Sequence, residues 1–278
     1  MMGLSFGMSD VRRWAHFSQD YNPIHFDLPH AKLAGLDSLV VHGMLVLLPV
    51  KQAVTDAFVD SGGANGRWTK FRALFRNAVL HDRSSALTLR STDRGIDFRL
   101  LAADSGKEHF RGTCSSSGEL PITATAEDWL ESTLDSDHLE ERMLRFINYY
   151  PFVKRGWIAL DAIIFADFIR TKLKAIEAMT QPYVAKMPGG KVLVQVSQTV
   201  FIDKDLIGED VDRTRRLQRV TYKLARPELI PGDDQLIGTV LLPVLQDQRQ
   251  IMLLELGLMV KGINDRSQHL GEKHHEYL

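Results

Sequence analysis

Apolar residues between Gly43 and Asp60, in GMLVLLPVKQAVTDAFVD, recur at helical spacing and stop at the breaker SGGANG. The segments that follow, RWTKFRALFRNAVL, SALTLRS, GIDFRLLAA and EHFRGTCSS, carry period-2 character between turn residues, which predicts an antiparallel sheet. Pro49 either kinks a helix begun at Gly43 or marks the first turn of one starting later. The order then returns. WIALDAIIFADFIRTKLKAIEAM, Trp157 to Met179, has an apolar stripe through Ile158, Phe165, Ile169 and Ile176. Charges at Asp161, Asp167, Arg170 and Lys174 predict a helix with one buried side and no membrane span. MPGG punctuates, and KVLVQVSQTVFID alternates through Val192, Val194, Val196, Val200 and Ile202. RRLQRVTYKLA, QLIGTVLLPV and QIMLLELGLMVK complete a second set of strands.

A long helix, a glycine turn and several antiparallel strands thus occur twice, sharing order rather than residues. The class expected is α+β, with residues 1–117 as one unit and 141–262 as a second. The acidic, Ser- and Thr-rich stretch 118–140 reads as a linker with room for one short helix, and 263–278 as a polar, flexible tail.

Composition narrows the classes. The 278 residues are 44% hydrophobic, enough for one large core or two ordinary ones, and a net charge of -1 gives no pull toward nucleic acid or an anionic membrane. The longest apolar run, SLVVHGMLVLLPV, is too short to cross a bilayer, and the first residues lack a secretory pattern, so a soluble cytoplasmic protein is expected. A single cysteine, Cys114, excludes an intrachain disulfide and a multi-cysteine zinc site and reads as a packing residue.

The candidate chemistry lies in FSQDYNPIHFD, Phe17 to Asp27, and in VVHGM, Val40 to Met44. Asp20 and His25 flank Asn22-Pro23, a turn that can bring both side chains to one side. A carboxylate and an imidazole in a partly dry cleft can hold one water and move protons both ways near neutral pH. Asn22 can bond within the turn. Gly43 lets a ligand approach the backbone, and its N–H lies near a helix start, where unpaired amides and the dipole favour an oxyanion. Taken singly, each is ordinary: Asp-x-Asn-Pro is common turn chemistry, and a lone histidine more often packs than catalyses.

Together, WAHFSQDYNPIHFDLPHAKLAGLDSLVVHGM, Trp14 to Met44, closely resembles the signature of the R-specific enoyl-CoA hydratases, the MaoC-like dehydratases. Ser18, Asp20, Asn22, Pro23, His25, Asp27, Ala31, Gly35, Val41, His42, Gly43 and Met44 stand in register with it. The resemblance is dense over residues 11–55, extends through the strands to about 115, and rests on topology alone beyond. It implies a hot-dog fold, a long helix wrapped by an antiparallel sheet, and hence a double hot-dog, a pseudo-dimer within one chain. It implies Asp20 and His25 as the catalytic pair that activates water, and Gly43 as the amide that holds the thioester oxygen. Ser18 and Asn22 match positions that shape the loop, with His42 as structural support. The reaction implied is reversible addition of water to a trans-2-enoyl thioester carried on CoA or acyl carrier protein, giving the (R)-3-hydroxyacyl thioester in fatty acid metabolism, with no cofactor or metal. Gln19 replaces the family's glycine before the aspartate, which predicts a strained turn or a narrowed entrance.

No histidine occurs between His138 and His269, so the second half cannot repeat the Asp/His pair. One site per chain is expected, with a degenerate partner that shapes an acyl tunnel or only completes the sheet; two chains could associate as a homodimer. Arg67, Lys70, Arg72, Arg76, Arg83 and Arg90 could meet carrier phosphates or merely form a solvated face. GLSFG, Gly3 to Gly7, has the nucleophile-elbow pattern with no room before it for the strand that an elbow needs. His25, His30 and His42 with Asp20 and Asp27 lack the helical spacing of a metal-ligand pair. The competing functions are a hot-dog acyl-CoA thioesterase and a non-catalytic acyl-thioester-binding protein.

Overall fold

The structure is a computed structural model, described over residues 1–63, 65–120, 130–134, 136–185, 190–224, 227–232 and 235–263. Strand β1 (Met2–Leu4) leads into helix α1 (Met8–Ser18), a 3-10 turn at Pro23–His25 and α2 (Leu28–Leu33). Helix α3 (Gly43–Asp60) then precedes β2 (Trp68–Phe75), β3 (Ser85–Thr92), β4 (Gly95–Ala102) and β5 (Glu108–Ser117). The second half starts with β6 (Leu130–Leu134), α4 (Ser136–Tyr149), α5 (Gly156–Thr171) and α6 (Leu173–Val184). It continues through β7 (Gly190–Asp203), the one-turn helices α7 (Lys204–Ile207) and α8 (Val211–Thr214), β8 (Val220–Leu224), β9 (Glu228–Pro231), β10 (Gln235–Gln246) and β11 (Arg249–Ile263).

All these strands join one antiparallel sheet ordered β1-β3-β4-β5-β2-β7-β11-β10-β8-β6, with β9 on β10. Leaving out β9, each half numbered within itself reads 1-3-4-5-2, and the two copies meet through their second strands. That seam is β2 against β7, with Phe71 opposite Val200 and Thr69 opposite Ile202. Alternation along β2 decides which face packs inward: Thr69, Phe71 and Ala73 are buried, while Arg72 faces out.

The two long helices fill the concave side. Every residue of α3 from Met44 to Val50 is buried, as is every residue of α5 from Gly156 to Phe168. A helix that is enclosed all round carries no clean amphipathic stripe. Pro49 lies inside α3 instead of starting it, at the cost of one backbone hydrogen bond. Helix α5 begins at Gly156 because the chain passes close there: a Cβ would sit 1.7 Å from Thr214 Oγ1.

Lys51 of α3 and Asp161 of α5 form an ion pair in which neither side chain has any exposure. Gln198 of β7 closes the triangle, its amide oxygen accepting from Lys51 Nζ at 2.7 Å and its amide nitrogen donating to Asp161 Oδ1 at 2.8 Å. The ammonium also lies 5.9 Å from the ring centre of Phe71 and 5.8 Å from that of Trp157. Burial pulls the Lys51 pKa down and pushes the Asp161 carboxyl up, and each charge opposes the other's shift.

Several boundaries depart from the sequence reading. Residues 157–179 do not form one helix: the chain breaks between Thr171 and Leu173, giving α5 and α6. Asp161 and Asp167 are not on a solvent face. Asp167 is buried and accepts from Tyr222 Oη at 2.6 Å and from Arg142 at 3.0 Å. The stretch expected as a linker contributes β6, which pairs with β8, and the start of α4, because its Leu130 and Leu134 extend an otherwise bare sheet edge. The strand predicted over 67–80 stops at Phe75, and the segment from Arg215 supplies a strand only from Val220. Residues 264–278 of the expected tail lie outside the described residues.

Lys51→Met or Asp161→Leu alone should cost about 3–5 kcal/mol, since each leaves one buried charge unanswered. The double variant should cost clearly less than the sum. Denaturant unfolding of the four proteins measures this; additive losses would mean that the groups do not act as a unit.

Candidate active site

The loop after α1 is built by short-range hydrogen bonds from the residue types that favour turns. Ser18, the last residue of α1, donates from its hydroxyl to the Trp14 carbonyl at 2.9 Å and accepts from the Asp20 N–H at 3.2 Å. Gln19 takes a left-handed conformation, φ 61 and ψ 20, that caps the helix. Its N–H bonds the Ala15 carbonyl at 2.7 Å, and its side chain donates to the His16 carbonyl at 2.9 Å. This is the strained turn that the departure from glycine predicts. Asp20 Oδ1 accepts from Asn22 N, and Asn22 Oδ1 accepts from Ile24 N, both at 3.3 Å. Pro23 then opens the 3-10 turn that carries His25. Asn22 Nδ2 reaches across 171 positions to the Leu193 carbonyl of β7 at 3.1 Å, which pins the loop to the second half.

His25 is buried, and its Nδ1 lies 2.8 Å from the Val40 carbonyl. A carbonyl only accepts, so Nδ1 bears the proton and Nε2 is left as the acceptor. His42 Nε2 donates to the Asp20 carbonyl at 3.0 Å, and its Nδ1 is buried without a partner among the described residues. The His25 and His42 rings stack with centres 3.6 Å apart and planes 26° apart. Polar side-chain atoms of Asp20, His25 and His42 lie within 4.8 Å of one another. Because the rings are nearly parallel, their in-plane lone pairs run side by side instead of meeting, a poor match to the convergence that a metal ion needs.

Next to His42, Gly43 is the first residue of α3, so its N–H has no acceptor within the helix. A Cβ there would come within 2.5 Å of Phe75 Cε2, which packs tightly against this backbone. Burial raises the Asp20 carboxyl above its ordinary range, opposed by the His25 charge and a backbone bond from Asn22. Burial lowers His25, opposed by Asp20 and by the Val40 bond. The two groups are thus brought toward equal proton affinity, the condition for passing a proton either way. His42 is pushed down to about 2, by burial first and then by the neighbouring His25 charge, and stays neutral.

The structure thus brings Ser18, Asp20, Asn22, His25, His42 and Gly43 together. Asp27 and His30 pair with each other at the surface on α2 and stand apart from the cluster. His81, which sequence reasoning missed, also donates to the Val40 carbonyl, at 3.1 Å. It lies 37 residues beyond Met44, just past the strand-like segment 67–80, with no local pattern to mark it. Cys114 is fully buried, and burial pushes its thiol up. A short strand, β1, does precede Ser5 of the GLSFG pattern, contrary to the sequence expectation. It is an edge strand, and no described hydrogen bond joins Ser5 to a histidine.

Residues 4–105 match the family model of the MaoC like domain. A mitochondrial 3-hydroxyacyl-[acyl-carrier-protein] dehydratase of Arabidopsis thaliana is 46% identical over 41 residues, 15% of this chain and 25% of that protein. The 3-hydroxyacyl-thioester dehydratase X of Mycobacterium tuberculosis (strain ATCC 25618 / H37Rv) is 28% identical over 103 residues, 37% of this chain and 34% of that one. The chain therefore spans a quarter to about a third of the length of these relatives. A solved MaoC domain protein dehydratase from Chloroflexus aurantiacus J-10-fl superposes over 94% of this chain and 93% of its own, with a TM-score of 0.50 at 8% identity. That likeness in fold takes in both halves of the chain.

Two outcomes follow from the loop. Gln19→Gly should stabilise the protein by about 1 kcal/mol, raising Tm by about 2–4 °C, because glycine relieves the left-handed strain. Calorimetry checks it; a fall in Tm would locate the cap's worth in the glutamine side chain. The second concerns pH. His25 and His42 have folded pKa values below those of the unfolded chain, so the unfolded state binds protons first as pH falls. Their contribution is intact above about pH 6.5 and is lost progressively below it, by up to about 1.4 kcal/mol per pH unit for each histidine. Asp20, raised in the folded state, acts in the opposite sense at lower pH. His42→Gln, whose amide can still donate to Asp20, should flatten the stability-pH slope between pH 6.5 and 5 relative to the parent protein.

Proposed function

We propose that this chain, which belongs through residues 4–105 to the MaoC-like family, is an (R)-specific enoyl thioester hydratase, equally a 3-hydroxyacyl thioester dehydratase in the reverse direction. The observation that carries this reading is the shared space of Asp20 and His25, with His25 Nε2 left as an acceptor, next to the helix start at Gly43. In hydration, the thioester carbonyl accepts from Gly43 N–H as negative charge builds on its oxygen. The Asp20 and His25 pair orients a water, whose oxygen bonds C3 as one of its protons passes to the pair. A proton returns from the pair to C2 on the same face, so water adds across the double bond and the enzyme ends as it began. Ser18 and Asn22 hold the Asp20 turn, and His42 supports both catalytic groups from behind. The reading uses no metal or cofactor; the substrate's own carrier, CoA or acyl carrier protein, is part of the substrate.

The matching strand order of the two halves supports a double hot-dog, with one unit at 1–117 and a second that, once β6 is counted, starts at Leu130 instead of 141, the two paired within one chain and a single site in the first. A groove of about 300 Å³ between α6 and the inner face of the sheet, lined by Leu193, Leu236, Val240, Leu258 and Val260, supports a role for the second half in taking a long acyl tail. Among the described residues no helix is long and apolar enough to cross a membrane; a cytoplasmic enzyme, alone or as a homodimer, fits the reading.

The test follows enone absorbance and free thiol together as the protein meets trans-2-enoyl-CoA substrates of several lengths. Loss of absorbance without thiol is the expected result; thiol release would mean a thioesterase, and no change at any length an acyl-binding protein. Asp20→Asn and His25→Ala should each fold normally and lose turnover by ~100-fold or more. Near-normal turnover in either variant would remove that residue from the mechanism.

A further inference from the structure

On the outer face of the first half, away from the helices, lies a groove of about 530 Å³ crossing β2, β5, β4 and β3. Arg72, Arg111, Arg99 and Arg90 line it, one from each strand, with Thr113 and Thr88 between them. The positions follow from register: Arg72 is opposite Thr113, Arg99 is opposite Arg111, and Thr88 is opposite Arg99. Four neighbouring strands therefore deliver four guanidiniums in two rows: Arg111 and Arg99 stand side by side, about 4.8 Å apart by strand spacing, while Arg72 and Arg90 end the adjoining row with Thr113 and Asp97 between them.

Their acids do not match them. Arg90 pairs closely with Asp97, at 2.5 Å. Arg99 and Arg111 share one carboxylate, Glu108, each at 3.8 Å, the outer limit of an ion pair. Arg72 has no acidic partner among the described residues. Like charges placed directly across a strand pair destabilise a sheet, and Arg99 and Arg111 are so placed. An exposed position tolerates threonine or serine easily, so opposed arginines there mark a demand for positive charge. It stands out in a chain whose net charge is -1.

We propose that this groove is a binding site for clustered phosphate groups, that is, for a nucleotide carrying at least two. Guanidinium forks match phosphate oxygens in pairs, and the threonine hydroxyls offer further donors. Arg99 and Arg111 grip one phosphate between them and draw away from Glu108; Arg72, diagonal to Arg111 across the β2–β5 pair, meets the next, while Arg90 stays with Asp97. The site is separate from the reaction centre. Leu74 lines the groove, whereas its neighbour Phe75 packs on the other face against Gly43. Occupancy therefore leaves the catalytic loop free, and the inference holds whether or not the chain is a hydratase.

Calorimetric titration tests it, with 3′,5′-ADP, ATP and inorganic phosphate added to the whole chain. The compared proteins are the parent, Arg99→Ser/Arg111→Ser, and a charge-matched control, Arg12→Ser/Arg216→Ser. Each is first checked for an unchanged unliganded Tm, and a groove variant that unfolds is replaced by Arg99→Gln/Arg111→Gln. Saturable binding of at least one of the two nucleotides, tighter than that of phosphate, is expected in the parent and the control. The groove variant should weaken it 10-fold or more. Equal binding by parent and groove variant, equal loss in the control, or no saturable nucleotide binding at millimolar concentration would each overturn the site. Capture of an acidic carrier protein without nucleotide binding would overturn it in favour of a protein-docking face.

Discussion

Two charges with no access to water hold the two halves together. Lys51 and Asp161 sit on the two helices that fill the concave sheet, and Gln198 comes from the strand at the seam. Apolar packing alone would let α3 slide or rotate against α5, because the central turns of both are enclosed mostly by interchangeable aliphatic side chains. A buried ammonium answered by one carboxylate and one amide oxygen admits only one alignment. The energetic gain is modest after desolvation, but a mismatch leaves a bare charge in the core. Such a triad specifies arrangement more than it adds stability.

That alignment fixes what the site needs. Gly43 starts the same helix that carries Lys51 two turns later, and Gln198 lies on the strand whose Leu193 carbonyl holds Asn22. Gly43 and the loop that carries Asp20 and His25 are thus both referenced to β7 and α3. Proton balance then comes from burial acting in opposite directions on unlike groups: it raises Asp20 and lowers His25. The second half, lacking its own pair, contributes by anchoring the first half's loop.

The N-terminal loop was the most legible part of the chain, because its geometry is local. Asp20, Asn22 and Pro23 encode their own turn through bonds spanning two or three residues, and Gln19 announces its strain by standing where a glycine would be easier. Long-range electrostatics was not legible. Asp161 looked like a solvent-facing charge because nothing nearby in the chain shows that Lys51, 110 positions away, will meet it. His81 was hidden for the same reason. The β10–β11 hairpin turn uses Asp247-Gln248 at φ 47 and 68, so the usual glycine signal was missing there too. Strand periodicity predicted where chain would extend, but not that β6 would cross out of the supposed connector to finish an edge.

The hydrogen bond from Asn22 to Leu193 also bears on how such a chain can change over generations. A segment with no Asp/His pair of its own is usually free to drift. Here the backbone of the second half is a bearing surface for the loop of the first, through a carbonyl that no substitution at position 193 can delete. Side chains along β7 can vary widely, yet an insertion or deletion ahead of Leu193 would shift the carbonyl out of reach. Inheritance should therefore tolerate replacements in that strand far better than changes in its length.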